Sequence, residues 1–484
     1  MEKTLKEKTA KGLFWGGISN ILQQLVVLSF GIFIARILYP EDVGLVGLLT
    51  IFTLLATTIQ EGGFSIALIN KKHVNKEEYS SVFWTNVIIS SILYLLLFLS
   101  APLIAEYFSE PRLVLLSKVV FLTILFSGFG IVQNTILTKS LEIKKLTIIN
   151  FISILISSST GLLLALRGFS YWSIAIQALV LSFSKTMLLW KMSDWKPDFT
   201  INIKFIKSIF SFSIKMLLSA LVGHISNGMY SVLLGKYGTI NQVGFYTQGN
   251  RWATIPSGFL CSVIQTVSLP VMAEVKEDKA REYIVFRKML RFTAFISFPI
   301  SLGFGFLISE FIPLFVGEKW NGCIPIIRLF CVSGALNSIQ AIYNHILTSN
   351  GYAKYILYTN IAYSFLLISS LFVSVKYGIL PMILSMIIIQ SIFFIIAISY
   401  TKRKLGFLFI NFIKDTAPFL IITLSIFGII TLLLQGLENL WLIFILKIII
   451  SVTGYILIMT LFNVTIFNES LSFLKQKIFS TLNK

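Results

Sequence analysis

The sequence predicts an all-α polytopic membrane protein of about 14 transmembrane helices, built as two parallel-related six-helix bundles with two further helices at the C-terminus. Three observations predict it. Of 484 residues 56% are hydrophobic and only 13% charged, against roughly 25% charged in a soluble domain, so only lipid can cover such a surface. Apolar runs recur from end to end, each about the 20 residues that a helix needs to cross the hydrocarbon core. A set of short segments also recurs in order at an almost constant spacing, which divides the chain into two halves of like topology.

The expected spans run over 12–36, 43–69, 81–105, 113–138, 146–166, 171–190, 208–235, 242–272, 284–309, 325–349, 355–375, 378–400, 416–434 and 440–462. An even number places both termini on one side. Lys and Arg choose the side. Of the 40, the termini and alternate loops carry 28, from Lys3 to Lys484; the opposite loops carry only Arg36, Arg112, Arg167, Lys236, Lys319 and Lys376. Basic residues accumulate in cytoplasmic loops, so both termini are expected in the cytoplasm. The net charge of +19 is read the same way, and no nucleic-acid partner is expected. The first 11 residues are polar and basic, and the apolar stretch behind them is too long for a cleaved signal. It is expected to be retained as the first span, behind a short interfacial helix.

The repeat shows in paired segments. NTILTK (134–139) recurs as NHILTS (344–349). Val43-Gly44 recurs as Val243-Gly244, and Leu103–Tyr107 as Leu307–Phe311. Ser127-Gly128 pairs with Ser333-Gly334, Asn150 with Asn360 and Gly168 with Gly378. The expected organisation is an N-lobe (1–200, spans 1–6), a C-lobe (201–405, spans 7–12), and spans 13–14 with the tail (406–484). Six is even, so the halves share one orientation, as in parallel-repeat transporters, whose substrate sites lie between the repeats.

Charged side chains inside spans are costly and usually functional. Arg251 lies near the middle of span 8. It fits either an anionic ligand, through its planar donor fork, or an internal ion pair. Lys215 sits nearer the cytoplasmic end of span 7, where it could meet an anion or snorkel. His224 and Asn227 share one face of span 7, and Gln24, Gln248 and Asn250 are further polar candidates in spans 1 and 8. Glu61, before Gly62 and Gly63, is the candidate for carrying a coupling ion; it could instead cap a helix broken at the glycines. Lys118, Lys185, Arg328 and Lys447 are expected to snorkel. Pro256, Pro270, Pro299 and Pro313 should interrupt or bend the later spans.

Catalytic chemistry finds little support. The histidines (His73, His224, His345) are scattered, Cys261, Cys323 and Cys331 lack metal or disulfide spacing, and no loop is large enough for a soluble domain. The chain is not expected to be an enzyme, and neither a cofactor nor a metal is expected.

Several stretches, in order, resemble the polysaccharide-transporter branch of the MOP flippase superfamily. They are ARILYPEDVGLVGLL (35–49), QEGGFSIALIN (60–70), GKYGTINQVGFYTQGNRWATIP (235–256), SLPVMAEVKEDKARE (268–282), FVGEKWNGCIPIIRLF (315–330) and ILTSNGYAKY (346–355). The likeness is strongest to Wzx-type flippases. It implies a MATE-like fold and the alternating-access transfer of undecaprenyl-pyrophosphate-linked oligosaccharides to the outer leaflet, for O-antigen, capsule or exopolysaccharide. It further implies a bacterial inner-membrane location, a monomer with polymerase or chain-length proteins as open partners, and coupling to a proton or sodium gradient. Family members often carry several Arg or Lys deep in the central spans, and this chain has few. The alternatives are a cation-coupled drug or metabolite antiporter of the same superfamily and a membrane-embedded glycan polymerase.

Overall fold

The computed structural model describes residues 22–275, 277–469 and 471–472. The expected interfacial segment, the start of span 1 and most of the tail lie outside them. Among the described residues every regular element is helical: α1 (Leu22–Ile37), α2 (Pro40–Glu61), α3 (Phe64–Asn70), α4 (Lys76–Tyr107), α5 (Leu113–Gly128), α6 (Ile131–Lys139), α7 (Ile143–Leu166), α8 (Tyr171–Met192), α9 (Ile203–Tyr237), α10 (Ile240–Val275), α11 (Lys279–Ser297), α12 (Gly303–Phe311), α13 (Ile324–Ser349), α14 (Ala353–Ser374), α15 (Ile379–Leu405), α16 (Phe409–Leu433) and α17 (Leu440–Leu461), with short π and 3-10 turns between some of them. Ten helical stretches are long and apolar enough to cross a membrane, or 11 if α5 and α6 form one span bent by 43°. With α1, α9 and α10, the described helices lie at the positions of expected spans 2–14 and of the later part of span 1.

Local chemistry sets the helix ends. Pro40 opens α2 at the first position, where its missing N–H costs nothing. Asn202, Asp278 and Asn439 accept backbone N–H bonds of 3.0–3.2 Å at the starts of α9, α11 and α17, satisfying donors that have no partner within the helix. Pro299 and Pro313 each open a π-helical turn, at Phe298–Leu302 and Ile312–Val316, because proline removes a helix donor and clashes with the preceding turn. Helix α10, in contrast, continues through Pro256 and Pro270.

Span 4, expected as one helix, breaks at Phe129-Gly130. Helix α8 compensates for the break. Ser182, Thr186 and Trp190, at four-residue intervals, donate to the carbonyls of Thr123, Phe126 and Phe129 at 2.9, 2.9 and 2.7 Å. Carbonyls left free in an apolar setting would otherwise be costly.

The chain divides into two compact units, Met1–Thr247 and Gln248–Lys484, with the division inside α10. In the first, α7 packs on α8, α4 on α5 and α2 on α9; in the second, α13 packs on α15, α11 on α13 and α16, and α12 on α13 and α17. An aromatic core around Phe83, Trp84, Trp190 and Trp195 ties α4, α8 and the start of α9. In the second unit Phe286, Tyr343 and Phe407 stack edge to face.

The repeat survives as geometry. In NTILTK the Thr138 hydroxyl donates to the Asn134 carbonyl at 2.8 Å; in NHILTS Thr348 donates to that of Asn344 at 2.7 Å. Both helices then end in the same pattern. Glu142 N–H bonds the Leu137 carbonyl and Leu141 N–H that of Thr138 (2.9 and 3.1 Å). Tyr352 bonds Leu347 and Gly351 bonds Thr348 (2.9 and 3.0 Å). This is the paired cap of a helix that closes on a left-handed residue, here Leu141 (φ 57°) and Gly351 (φ 80°). The Lys139 ammonium also donates to the Leu68 carbonyl at the end of α3, at 2.7 Å. The motif is a packing corner.

A second echo brings two equivalent helices into direct contact. A Cβ on Gly44 would lie 2.1 Å from the Ile240 carbonyl oxygen, and one on Gly244 would lie 1.9 Å from that of Pro40. The pairs are reciprocal at an offset of 200 residues, so the starts of α2 and α10 cross backbone to backbone, as small residues permit in membrane helices. Beside this crossing, Arg112 donates to Glu41 at 2.6 Å and to Glu110 at 2.5 and 3.0 Å. These bonds hold the Glu110 carboxyl below its ordinary value. The stabilisation is therefore present above that ordinary value and is lost as pH falls through the lower folded one. Thermal stability of the wild type should drop on acidification below about pH 4.3, the usual Glu range, and Arg112→Gln should flatten that part of the pH profile.

Candidate functional site

In the first unit, residues 60 and 61 divide structural and exposed roles. Gln60, 1% exposed, donates to the Ser90 hydroxyl (2.7 Å) and the Ile124 carbonyl (2.8 Å) and accepts from Ser127 (2.9 Å). It pins the end of α2 to α4 and α5. Glu61, the next residue and the last of α2, is exposed. Gly62 and Gly63 follow in left-handed conformations (φ 51° and 72°), so the helix stops there as expected. Among the described residues the Glu61 carboxylate has no ion pair within 4 Å; Lys185 of α8 is half-buried.

His224 is half-buried and Asn227 exposed on α9, one turn apart, while Ser226 and Tyr230 face the packed side. Gln24 is exposed on α1. Lys215 lies in α9, and its side chain falls outside the described residues.

In the second unit, α10 presents two faces. Gln248 and Trp252, four residues apart, are buried (3% and 2% exposed). Arg251, Thr254 and Gly258 form an exposed stripe, and Asn250 lies half-buried beside it. Trp252 packs edge-on against Phe311 at 5.7 Å, which fixes the rotation of α10 and hence the direction of Arg251. Among the described residues the Arg251 guanidinium has no hydrogen-bonding or ion-pair partner.

Lys447 corrects an expectation. It does not snorkel. It is 9% exposed, donates to Glu310 at 2.9 Å and lies 4.3 Å from the centre of the Phe306 ring. Glu310 is one member of the Glu106/Glu310 echo. Glu106 is exposed, whereas α17, which has no counterpart in the first repeat, covers Glu310. Arg328 donates to Ser309 at 2.5 Å, and Lys118 sits 4.5 Å from the Phe98 ring. An apolar cavity of about 370 Å³ opens between α10, α12, α16 and α17, lined by residues that include Pro256, Phe304, Phe427, Val452 and Tyr455. Among the described residues no three His, Cys, Asp or Glu are grouped to hold a metal.

Residues 33–325, more than half of the chain, match the family described as polysaccharide biosynthesis protein. The chain belongs to that family. Among its relatives is the lipopolysaccharide biosynthesis protein WzxC of Escherichia coli (strain K12), 25% identical over 346 residues, which is 69% of each chain. The teichuronic acid biosynthesis protein TuaB of Bacillus subtilis (strain 168) is 26% identical over 67% of this chain and 68% of its own. The succinoglycan biosynthesis transport protein ExoT of Rhizobium meliloti (strain 1021) is 27% identical over 62% and 61%. The fold is similar to that of the lipid II flippase MurJ in an inward closed conformation, with a TM-score of 0.76, 16% identity and coverage of 93% of this chain and 98% of that one. An inward-facing multidrug resistance MATE transporter of the MOP superfamily aligns with a TM-score of 0.64 and 15% identity over 81% of this chain and 98% of its own. This polysaccharide biosynthesis protein is therefore a multi-pass helical membrane protein with a MurJ- and MATE-like fold. The resemblance to a polysaccharide biosynthesis family holds.

Proposed function

We propose that this member of the family is a flippase that carries polyprenyl-pyrophosphate-linked oligosaccharide units from the cytoplasmic to the outer leaflet by alternating access. The observation that carries the reading is the family match together with relatives named for lipopolysaccharide, teichuronic acid and succinoglycan biosynthesis. The chain's own residues suit the chemistry. A pyrophosphate needs a cation that is not already neutralised, and the exposed Arg251 fork offers one; a guanidinium holds phosphate oxygens in a planar, two-point grip. Asn250, half-buried beside Arg251, would supply a hydrogen bond to a sugar hydroxyl; in the first unit His224, Asn227 and Gln24 are separate candidates for such bonds. Glu61, exposed at the end of α2 before two left-handed glycines, is the proposed carrier of a coupling proton or sodium ion. The apolar cavity would accommodate hydrocarbon rather than glycan. The protein would sit in the cytoplasmic membrane with both termini inside.

Deleting the gene should stop surface polymer and leave lipid-linked units on the cytoplasmic face. Arg251→Ala should restore less than about a tenth of the polymer, the loss of roughly 1.4 kcal/mol or more of binding, while reaching the membrane in normal amount. If polymer persists in the deletion and drug sensitivity rises instead, the antiporter reading replaces this one.

A further inference from the structure

We propose that Arg287 and Arg291 of α11, held by Asp415 of α16, form a phosphate site for a lipid headgroup. The site lies midway along α11 and in the second turn of α16, toward the end of the second unit that the Lys/Arg distribution assigns to the cytoplasm. Asp415 is 2% exposed. Arg287 grips it through two nitrogens at 2.7 Å each, and Arg291 adds its Nε at 2.6 Å. One guanidinium is enough to neutralise a buried carboxylate, so the second leaves a surplus positive charge. Arg291 spends only Nε on Asp415. Among the described residues its two terminal nitrogens have no partner, and its side chain remains 38% exposed.

Two other cations of α11 are already engaged. Lys288 pairs with Glu469 at 2.6 Å and Lys279 with Glu282 at 2.8 Å. Arg287 is further steadied 5.8 Å from the centre of the Tyr283 ring, whose hydroxyl accepts from Asn411 at 3.0 Å. The result is a planar donor fork oriented before any ligand arrives. That geometry suits two oxygens of one phosphate better than an ammonium would, and pre-orientation lowers the entropy lost on binding. Phosphate at this depth comes on lipid, either an anionic phospholipid of the leaflet or a phosphorylated polyprenyl carrier. The inference does not depend on what is transported.

The test uses the full chain purified in a neutral detergent, with its unfolding midpoint measured in added phosphatidylglycerol, phosphatidylcholine or polyprenyl pyrophosphate. The wild type should gain more from one of the two phosphate-bearing anionic lipids than from phosphatidylcholine, and which lipid does so names the occupant. Arg291→Gln should lose most of that gain while keeping its midpoint in phosphatidylcholine, because Arg287 still satisfies Asp415. Lys288→Gln should retain it. Should Arg291→Gln fold poorly, Arg291→Lys keeps the charge without the fork and should still lose part of the gain. A wild type with no preference for either anionic lipid, or Arg291 variants that keep the full preference, would overturn the site.

Discussion

Lys447→Ala is expected to destabilise the second unit by about 3–5 kcal/mol, the usual cost of stripping one partner from a buried ion pair. Lys447 and Glu310 are buried together, and the second Glu310 carboxylate oxygen already lacks a hydrogen-bond partner among the described residues. Removing the ammonium would leave the buried Glu310 charge without its ion-pair partner. The expected readout is a large fall in unfolding midpoint and in membrane-resident protein. The double variant Glu310→Gln/Lys447→Met should recover most of the loss, since replacing both charges is often neutral. A single variant as stable as the wild type would mean that the pair is hydrated and does not clasp α17 to α12.

Gly244→Val is the second large effect. Its Cβ would start 1.9 Å from a backbone carbonyl oxygen, where no side-chain rearrangement can relieve the overlap. Overpacking usually costs about 1–3 kcal/mol even where neighbours can shift. Here α2 and α10 themselves must part, so the effect should reach or exceed that range and export should fall with it. Gly44→Val should do the same from the opposite side of the crossing. Gly223→Ala in α9 is the control. A Cβ there meets nothing within 4 Å, and alanine favours a helix by about 0.8–1 kcal/mol over glycine, so that variant should be at least as stable as the wild type. If Gly244→Val behaves like Gly223→Ala, the backbone crossing is absent from the working protein.

Hydropathy and repeat spacing placed the helices because each is set by local composition. The corners at Leu141 and Gly351 were legible as an echo, and their matching caps explain why the spacing is an unbroken 210 residues there. The break in span 4 was not legible. Gly128 and Gly130 are ordinary in an apolar run, and only α8, about 60 residues away, supplies the donors that make the break affordable. The charged partners were partly readable. Arg287 and Arg291 stand four apart on one helix, and Asp415 is the lone acid at the entrance to α16, but nothing local pairs them. Lys447 sits at a depth where snorkelling is the default. What distinguishes it is the Glu310 carboxylate from another helix, and tertiary structure alone brings that carboxylate close. Arg251 was found by depth alone; it lies on the exposed stripe of α10.

The central claim is that this protein moves a lipid-linked glycan across a bilayer. The most direct measurement uses the purified chain in sealed vesicles, with a polyprenyl-pyrophosphate oligosaccharide labelled on the sugar and an impermeant enzyme or lectin that reads only the outer leaflet. Protein-containing vesicles should expose or hide the label many times faster than empty ones, and Arg251→Ala vesicles should approach the empty rate. Equal rates with and without the wild-type protein, under both proton and sodium gradients, would contradict the claim.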